Sequence, residues 1–204
     1  MQSVNVEKMK QNRRTLLIVL VIFVLPVLIS SLMYFTEWRP SSTVNHGELI
    51  LPARPIADGA MTTLDGKQVK ISDLRDKWTM VYFDSSACPE ACMSQIYFMR
   101  QVHASQGKNY DRIQRVFMLT DSKSVDELKS KLKDYPDMLV WTGDQLQTAK
   151  LTHDFGVDTQ SADFQRYIYL LDQQGNLMMR YKPGVEPAGV RKDIERLLKY
   201  SSEK

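Results

Sequence analysis

The sequence predicts an α/β domain with a mostly parallel core sheet, joined to a single membrane-spanning helix. Three observations predict it. Residues 15–35 form an uncharged, apolar run. Short β-rich runs alternate with helical patterns beyond residue 78. The two cysteines of the chain, Cys88 and Cys92, fall together at one strand-to-helix junction.

The apolar run comes first. About 20 apolar residues span a bilayer. A cleaved signal peptide has a shorter apolar core followed by a small-x-small site, and Met33-Tyr34-Phe35-Thr36-Glu37-Trp38 offers none. The run therefore reads as an uncleaved transmembrane helix over 15–36. Pro26 inside it is tolerated better in lipid than in water. Tyr34, Phe35 and Trp38 suit an interfacial aromatic belt.

Charge sets the expected orientation. Lys8, Lys10, Arg13 and Arg14 precede the span against Glu7, whereas Glu37 and Arg39 cancel after it. Residues 41–204 hold 22 basic and 22 acidic side chains, so the net charge of +3 sits in the short N-terminal tail. This is the positive-inside pattern. It predicts a cytoplasmic tail (1–14), a linker (37–47) and a folded domain (48–204) across the membrane. Because the excess charge lies in the tail, the basic pI gives no reason to expect nucleic acid. No Arg-rich transit peptide precedes the span, which favours a bacterial inner membrane and a periplasmic domain. Disulfides persist in that compartment.

Within the domain, Asp65-Gly66 between 61–64 and 68–71 predicts an N-terminal β-hairpin. A strand follows at 78–83, then the Cys loop. A helix over 89–106 carries Ile96, Met99, Val102 and His103 at helical spacing and stops at Gly107. Residues 116–119 and 138–141 read as short buried strands. Between them, Ser124-Val125-Asp126-Glu127 resembles a capping box opening a helix that ends before Pro136. A helix over 144–155 closes at Gly156. Residues 167–171 and 177–181 pair around Asp172-Gln173-Gln174-Gly175, which predicts an antiparallel sheet edge. The last helix runs from Pro187 to Tyr200. Leu51-Pro52-Ala53-Arg54-Pro55 lacks helical signal and reads as more spacer.

Two thiols at a strand–helix junction can form a reversible disulfide, hold a soft metal, or form a structural bridge. Pro89 suits the first helical position, which puts Cys88 at the N-cap. There the helix dipole favours a thiolate, while Asp84 and Glu90 oppose it. Cys88 is therefore the candidate attacking thiol and Cys92, one turn on, the resolving thiol. The i, i+4 spacing puts both on one face. A structural bridge closing so small a loop adds little stability. For Cu(I), two thiolates are suitable soft ligands. Candidate third ligands are His46, His103, His153 and Met93. Of these, His103 lies about 16 Å along the helix from Cys92, His46 falls in the spacer, and Met93 suits gap-filling, leaving His153 as the weak candidate.

A Cys pair after the first central strand, on the first turn of a helix, resembles a thioredoxin-like fold. The anchored layout and Cys88-Pro89-Glu90-Ala91-Cys92 resemble the Sco (SCO/SenC) family, the copper and thiol chaperones of cytochrome c oxidase assembly. Tyr169-Leu170-Leu171-Asp172 with Gly175 matches the strand and turn after that family's metal histidine. In this register Phe164 occupies the histidine position and Met93 the position of the family's second proline. The resemblance thus implies a divergent branch lacking the copper-ligand histidine. It implies thiol–disulfide exchange supporting assembly of the oxidase copper site, with oxidase subunit II, other assembly factors and a periplasmic thiol reductant as partners. The alternatives are Cu(I) delivery and a non-catalytic assembly role.

Other thioredoxin-fold chemistries fit less well. A peroxidase would use Ser85 and Arg166, but Val81 stands where its proline belongs. A classical oxidoreductase has two residues between its cysteines and a proline before the strand at Tyr167, and 162–166 contains none. Lys123, Lys129, Lys131 and Lys133 read as a solvated helix face. Met178-Met179, Trp78 and Trp141 read as packing residues.

Overall fold

A computed structural model describes residues 3–36, 45–157 and 167–201. Trp38, Phe164, Arg166 and most of the 37–47 spacer lie outside the described residues. The chain divides into two compact units, 1–44 and 45–204. The first is helix α1, Ser3–Phe35, with Pro26 inside it. Its segment Arg13–Phe35 is long and apolar enough to cross a membrane.

The second unit is built on one eight-stranded mixed sheet. Its strands are β1 (Glu48–Pro55), β2 (Met61–Thr63), β3 (Gln68–Val69), β4 (Trp78–Asp84), β5 (Ile113–Leu119), β6 (Met138–Thr142), β7 (Ile168–Leu171) and β8 (Asn176–Tyr181). They lie in the order β1-β8-β7-β4-β5-β6-β2-β3. Strands β4, β5 and β6 are parallel, and the flanking pairs are antiparallel. The helices are α2 (Glu90–Ala104), α3 (Val125–Lys131), α4 (Gln145–Asp154) and α5 (Pro187–Tyr200). The α/β, thioredoxin-like arrangement expected from the sequence is present, with its N-terminal β2–β3 hairpin.

Strand β4 has all seven residues buried, as a strand covered on both faces should. Its side chains alternate between two cores. Met80 and Tyr82 pack with Cys92, Ile96 and Met99 of α2, Leu128 of α3 and Ile194 of α5. Val81 and Phe83 pack with Leu151 and Phe155 beside α4. Asp84 ends the strand on the α2 face, and the chain turns at once into the Cys loop.

Three expectations are corrected. Residues 51–55 are not spacer but part of β1, which pairs antiparallel with β8 through Glu48–Arg180 and Leu49–Met179. Pro52 and Pro55 cannot donate to a ladder, which an edge strand tolerates and a pattern search rejects. The terminal hairpin is consequently not an edge, because β1 covers β8. Finally, Ser124 precedes α3 but makes no side-chain cap. The capping box belongs to α4, where Asp144 accepts from Gln147 N–H at 2.7 Å and Gln147 accepts from Asp144 N–H at 3.2 Å.

His46 also belongs to the folded unit. His46 and Gly47 donate their N–H groups to the buried Asp193 carboxylate of α5 at 2.8 and 3.0 Å. The His46 ring lies over Gly189, where a Cβ would come within 2.6 Å of it.

Arg115 is the largest fully buried side chain. It lies on the α2 side of β5, paired with the Asp137 carboxylate. Asp137 also accepts from Tyr110 Oη at 2.6 Å. Burial works to raise the Asp137 pKa, but the Tyr110 hydroxyl and the Arg115 cation prevail and hold it at about 2. A carboxylate depressed from 3.8 to about 2 stabilises the fold above the upper value and loses that contribution as pH falls through the lower. Asp137→Asn would leave Arg115 buried without this partner. Because Asp137 itself is partly exposed, the expected loss is about 2 kcal/mol at pH 7. Urea unfolding of wild type and variant should show that difference at pH 7, shrinking toward zero near pH 2.

Candidate functional site

The site forms where β4 hands over to α2. Cys88 and Cys92 are joined by a disulfide with their Cα atoms 5.1 Å apart. Both cysteines are buried, at 1% and 0% exposure, while Ala87, Pro89 and Glu90 beside them are exposed. The crosslink therefore sits just beneath a solvent-facing rim. The N-cap of α2 is Pro89, not Cys88 as the sequence suggested. Cys88 stands one residue outside the helix with φ +36°, a left-handed conformation costing a non-glycine residue of order 1–3 kcal/mol. The expected difference in shielding between the cysteines is absent in this oxidised state.

Two sets of contacts hold the loop. In the first, Ser86 is fully buried and donates its hydroxyl to Asp121, after the end of β5. Its oxygen accepts from Ser124 N–H at 2.8 Å. The Ser124 amide thus serves the Cys loop, and its hydroxyl does not cap α3. Burial pushes the Asp121 pKa up, but hydrogen bonds from Ser86 and the Lys123 amide outweigh it and leave the group below its ordinary value. Asp121 also lines a cleft of about 670 Å³ with Thr120, Gln145 and Thr148.

In the second set, Cys88 N–H donates to Ser85 O at 3.2 Å. Lys131 Nζ donates to Ala87 O at 2.8 Å and to Cys88 O at 3.3 Å. Glu127, one turn back on α3, pairs with Lys131 at 2.8 Å. Lys129 on α3 and Lys133 just after it are exposed, as is Lys123 just before the helix, but the solvated-face reading fails for Lys131. Spacing alone places all four alike, because the loop that Lys131 meets lies 43 residues earlier.

Asp84 lies at the base of the loop. It accepts from Tyr82 Oη at 2.8 Å and from Ser85 N–H at 2.7 Å. Burial raises its pKa despite these bonds. Sequence marked Asp84 only as negative charge near the thiols. Its pairing with Tyr82, two residues back on the same strand face, was open to a period-two reading.

The candidate metal ligands are dispersed. His103 is buried on α2, with its Nε2 2.9 Å from Tyr110 O, and its ring stacks on Tyr110. His46 faces Asp193. His153 is 90% exposed on α4, the helix of the opposite sheet face, and lies beside Asp154. Met93 is half-buried against the α2 core. Among the described residues no group of three or more His, Cys, Asp or Glu side chains forms a metal cluster. Once reduced, the two thiolates are the donor set that suits a soft cation, and Phe164 lies outside the described residues.

Residues 78–201 match the family model described as transmembrane-like, thioredoxin-like, C-terminal domain. The chain belongs to that family. No curated protein matches it. Among solved structures, yeast Sco1 with copper bound is 20% identical with a TM-score of 0.63, covering 74% of this chain and 96% of that one. BsSco, a Sco-family cytochrome c oxidase assembly protein described with a disulfide switch, is 16% identical with a TM-score of 0.59, over 74% and 96%. A putative thiol:disulfide interchange protein DsbE from Chlorobium tepidum is 22% identical with a TM-score of 0.52, over 72% and 95%. At these identities the likeness is one of fold. At that level the Sco-like resemblance carried by the Cys-Pro-x-x-Cys segment is met.

Cys88 lies in the loop before α2 and Cys92 within the helix, both buried in the oxidised protein. After reduction, iodoacetamide should therefore modify Cys88 faster than Cys92, by about tenfold or more. Peptide mass spectrometry over a time course reads this ratio. Equal, slow rates would mark the pair as a closed structural bridge.

Proposed function

We propose that this protein is a membrane-anchored thiol–disulfide exchange protein that supports assembly of the copper site of cytochrome c oxidase. In this reading α1 spans a bacterial inner membrane once. The basic tail, 1–14, stays in the cytoplasm, and the domain beyond the 37–47 linker works in the periplasm. The uneven charge across the span supports that orientation. The observation that carries the chemistry is the Cys88–Cys92 disulfide placed just outside a helix N-terminus, under an exposed rim, in a thioredoxin-like fold.

Exchange then follows from the residues present. A thiolate of a reduced partner attacks Cys88 Sγ, the S–S bond breaks, and the electron pair leaves on Cys92 Sγ, which takes up a proton. The mixed disulfide resolves when a second partner thiolate attacks its own sulfur in that bond. The partner becomes a disulfide and Cys88 a thiol. In the opposite direction the reduced pair would return cysteines of oxidase subunit II to the thiol state, and a periplasmic thiol reductant would regenerate it. Asp84, whose pKa burial raises, lies at the base of the same loop, held by the Ser85 amide and the Tyr82 hydroxyl.

Cu(I) delivery is the second reading, favoured by the donor chemistry of two thiolates and by the fold shared with yeast Sco1, which is solved with copper bound. Here Cys88 and Cys92 hold the cargo, with His153 as the weak further candidate. In a third reading the protein assembles partners without chemistry of its own.

Cys92→Ser should trap partners on Cys88 as mixed disulfides in oxidase-producing membranes. Absence of such adducts would contradict exchange. Tight one-to-one Cu(I) binding by the wild-type protein, lost in His153→Ala, would place copper delivery first. Weak Cu(I) binding, strengthened in Phe164→His, is the expected result.

A further inference from the structure

We infer that Lys131 is a positioning residue that weights the Cys88–Cys92 equilibrium toward the disulfide by clasping the backbone of the Cys loop. The inference rests on the exchange reading above, since it concerns the balance between the two states of that pair. Lys131 was not among the residues that the sequence pointed to.

Cys88 has a φ of +36°, which is disfavoured for a side chain with a Cβ. In the oxidised protein the bond to Cys92 holds that conformation. Breaking the bond removes one restraint and leaves the others. Of these, the bonds from Lys131 Nζ fall on the carbonyls of residues 87 and 88 themselves. The Ser86 contacts act two residues earlier, and the Cys88 amide bond to Ser85 is a local turn bond. Lys131 is half-buried and aimed by Glu127 from the preceding turn of α3, so its ammonium is held at the loop.

The reduced loop then has two choices. It keeps the Lys131 bonds and with them the strained Cys88, or it relaxes and gives the bonds up. Both choices disfavour the dithiol relative to the disulfide, in which bonds and conformation are satisfied together. The direction separates this role from simple electrostatics. A cation that acted only by supporting a thiolate would favour the reduced state, so its removal would shift the equilibrium the opposite way.

The test is the equilibrium of the full-length protein in detergent micelles with a glutathione buffer. Two glutathione thiols give two electrons and two protons to the pair. The Cys88–Cys92 bond breaks, and one glutathione disulfide forms. Lys131→Met should shift this equilibrium toward the dithiol about tenfold, or about 30 mV for the two-electron couple. Lys129→Met removes the same charge from an exposed position on the same helix and should leave the equilibrium unchanged. The thermal midpoint of the oxidised protein should fall more than that of the reduced protein in Lys131→Met, because the oxidised loop loses the Lys131 bonds and, with Cys88 fixed by the S–S bond, cannot relax in return. An unchanged equilibrium in Lys131→Met, a shift toward the disulfide, or an equal shift in Lys129→Met would overturn the inference. A wild-type disulfide that glutathione cannot reduce at all would instead overturn the exchange reading, which distinguishes the two failures.

Discussion

The site depends on one constraint: a fully buried central strand must turn within five residues into a helix whose first turn carries a cysteine. Strand β4 has no freedom to shift, since its two faces pack into separate cores. Helix α2 has little freedom either, with Ile96, Met99 and Val102 locked against the sheet and α5. The mismatch between them falls on residues 85–89. Cys88 absorbs it in a left-handed conformation, and the disulfide closes the turn. Ser86 and Lys131 tie the same short loop to the segment after β5 and to α3. The central strands thus hold the thiol pair from three sides.

Such a loop suits reversible chemistry better than a static bridge. A crosslink spanning four residues removes little entropy from the unfolded chain, so stability gives weak reason for it. Its sulfurs lie buried beneath an exposed rim, and Cys88 stands in the turn outside the helix. The anchor proposed for α1, which is long and apolar enough to cross a membrane, would add a second restriction by confining the domain to a membrane surface.

Most of the elements were legible because their signals are local. Gly156 follows the end of α4 with a positive φ, Pro187 begins α5, and Asp65-Gly66 makes the β2–β3 turn. The cysteine pair was legible because composition isolates it. Features built from distant segments were not. Strand β1 hid behind two prolines because its only claim to be a strand is pairing with β8, more than a hundred residues on. His46 looked like tether because Asp193, its partner, lies 147 residues later. Lys131 looked solvated because a lysine on a charged helix carries no mark of a carbonyl beside it. Helix α3 drew a capping box from Ser124 and Glu127, yet both residues are engaged elsewhere, one amide with Ser86 and one carboxylate with Lys131.

In the exchange reading the Cys88–Cys92 bond is a working disulfide and not a permanent staple. The standard reduction potential of the pair, measured on the full-length wild-type protein, tests this most directly. Structural disulfides fall below about −300 mV and exchange-active ones above it. Exchange requires a value above that boundary, with the fold retained on reduction. A value well below it, or unfolding of the domain when the bond is cut, would rule exchange out.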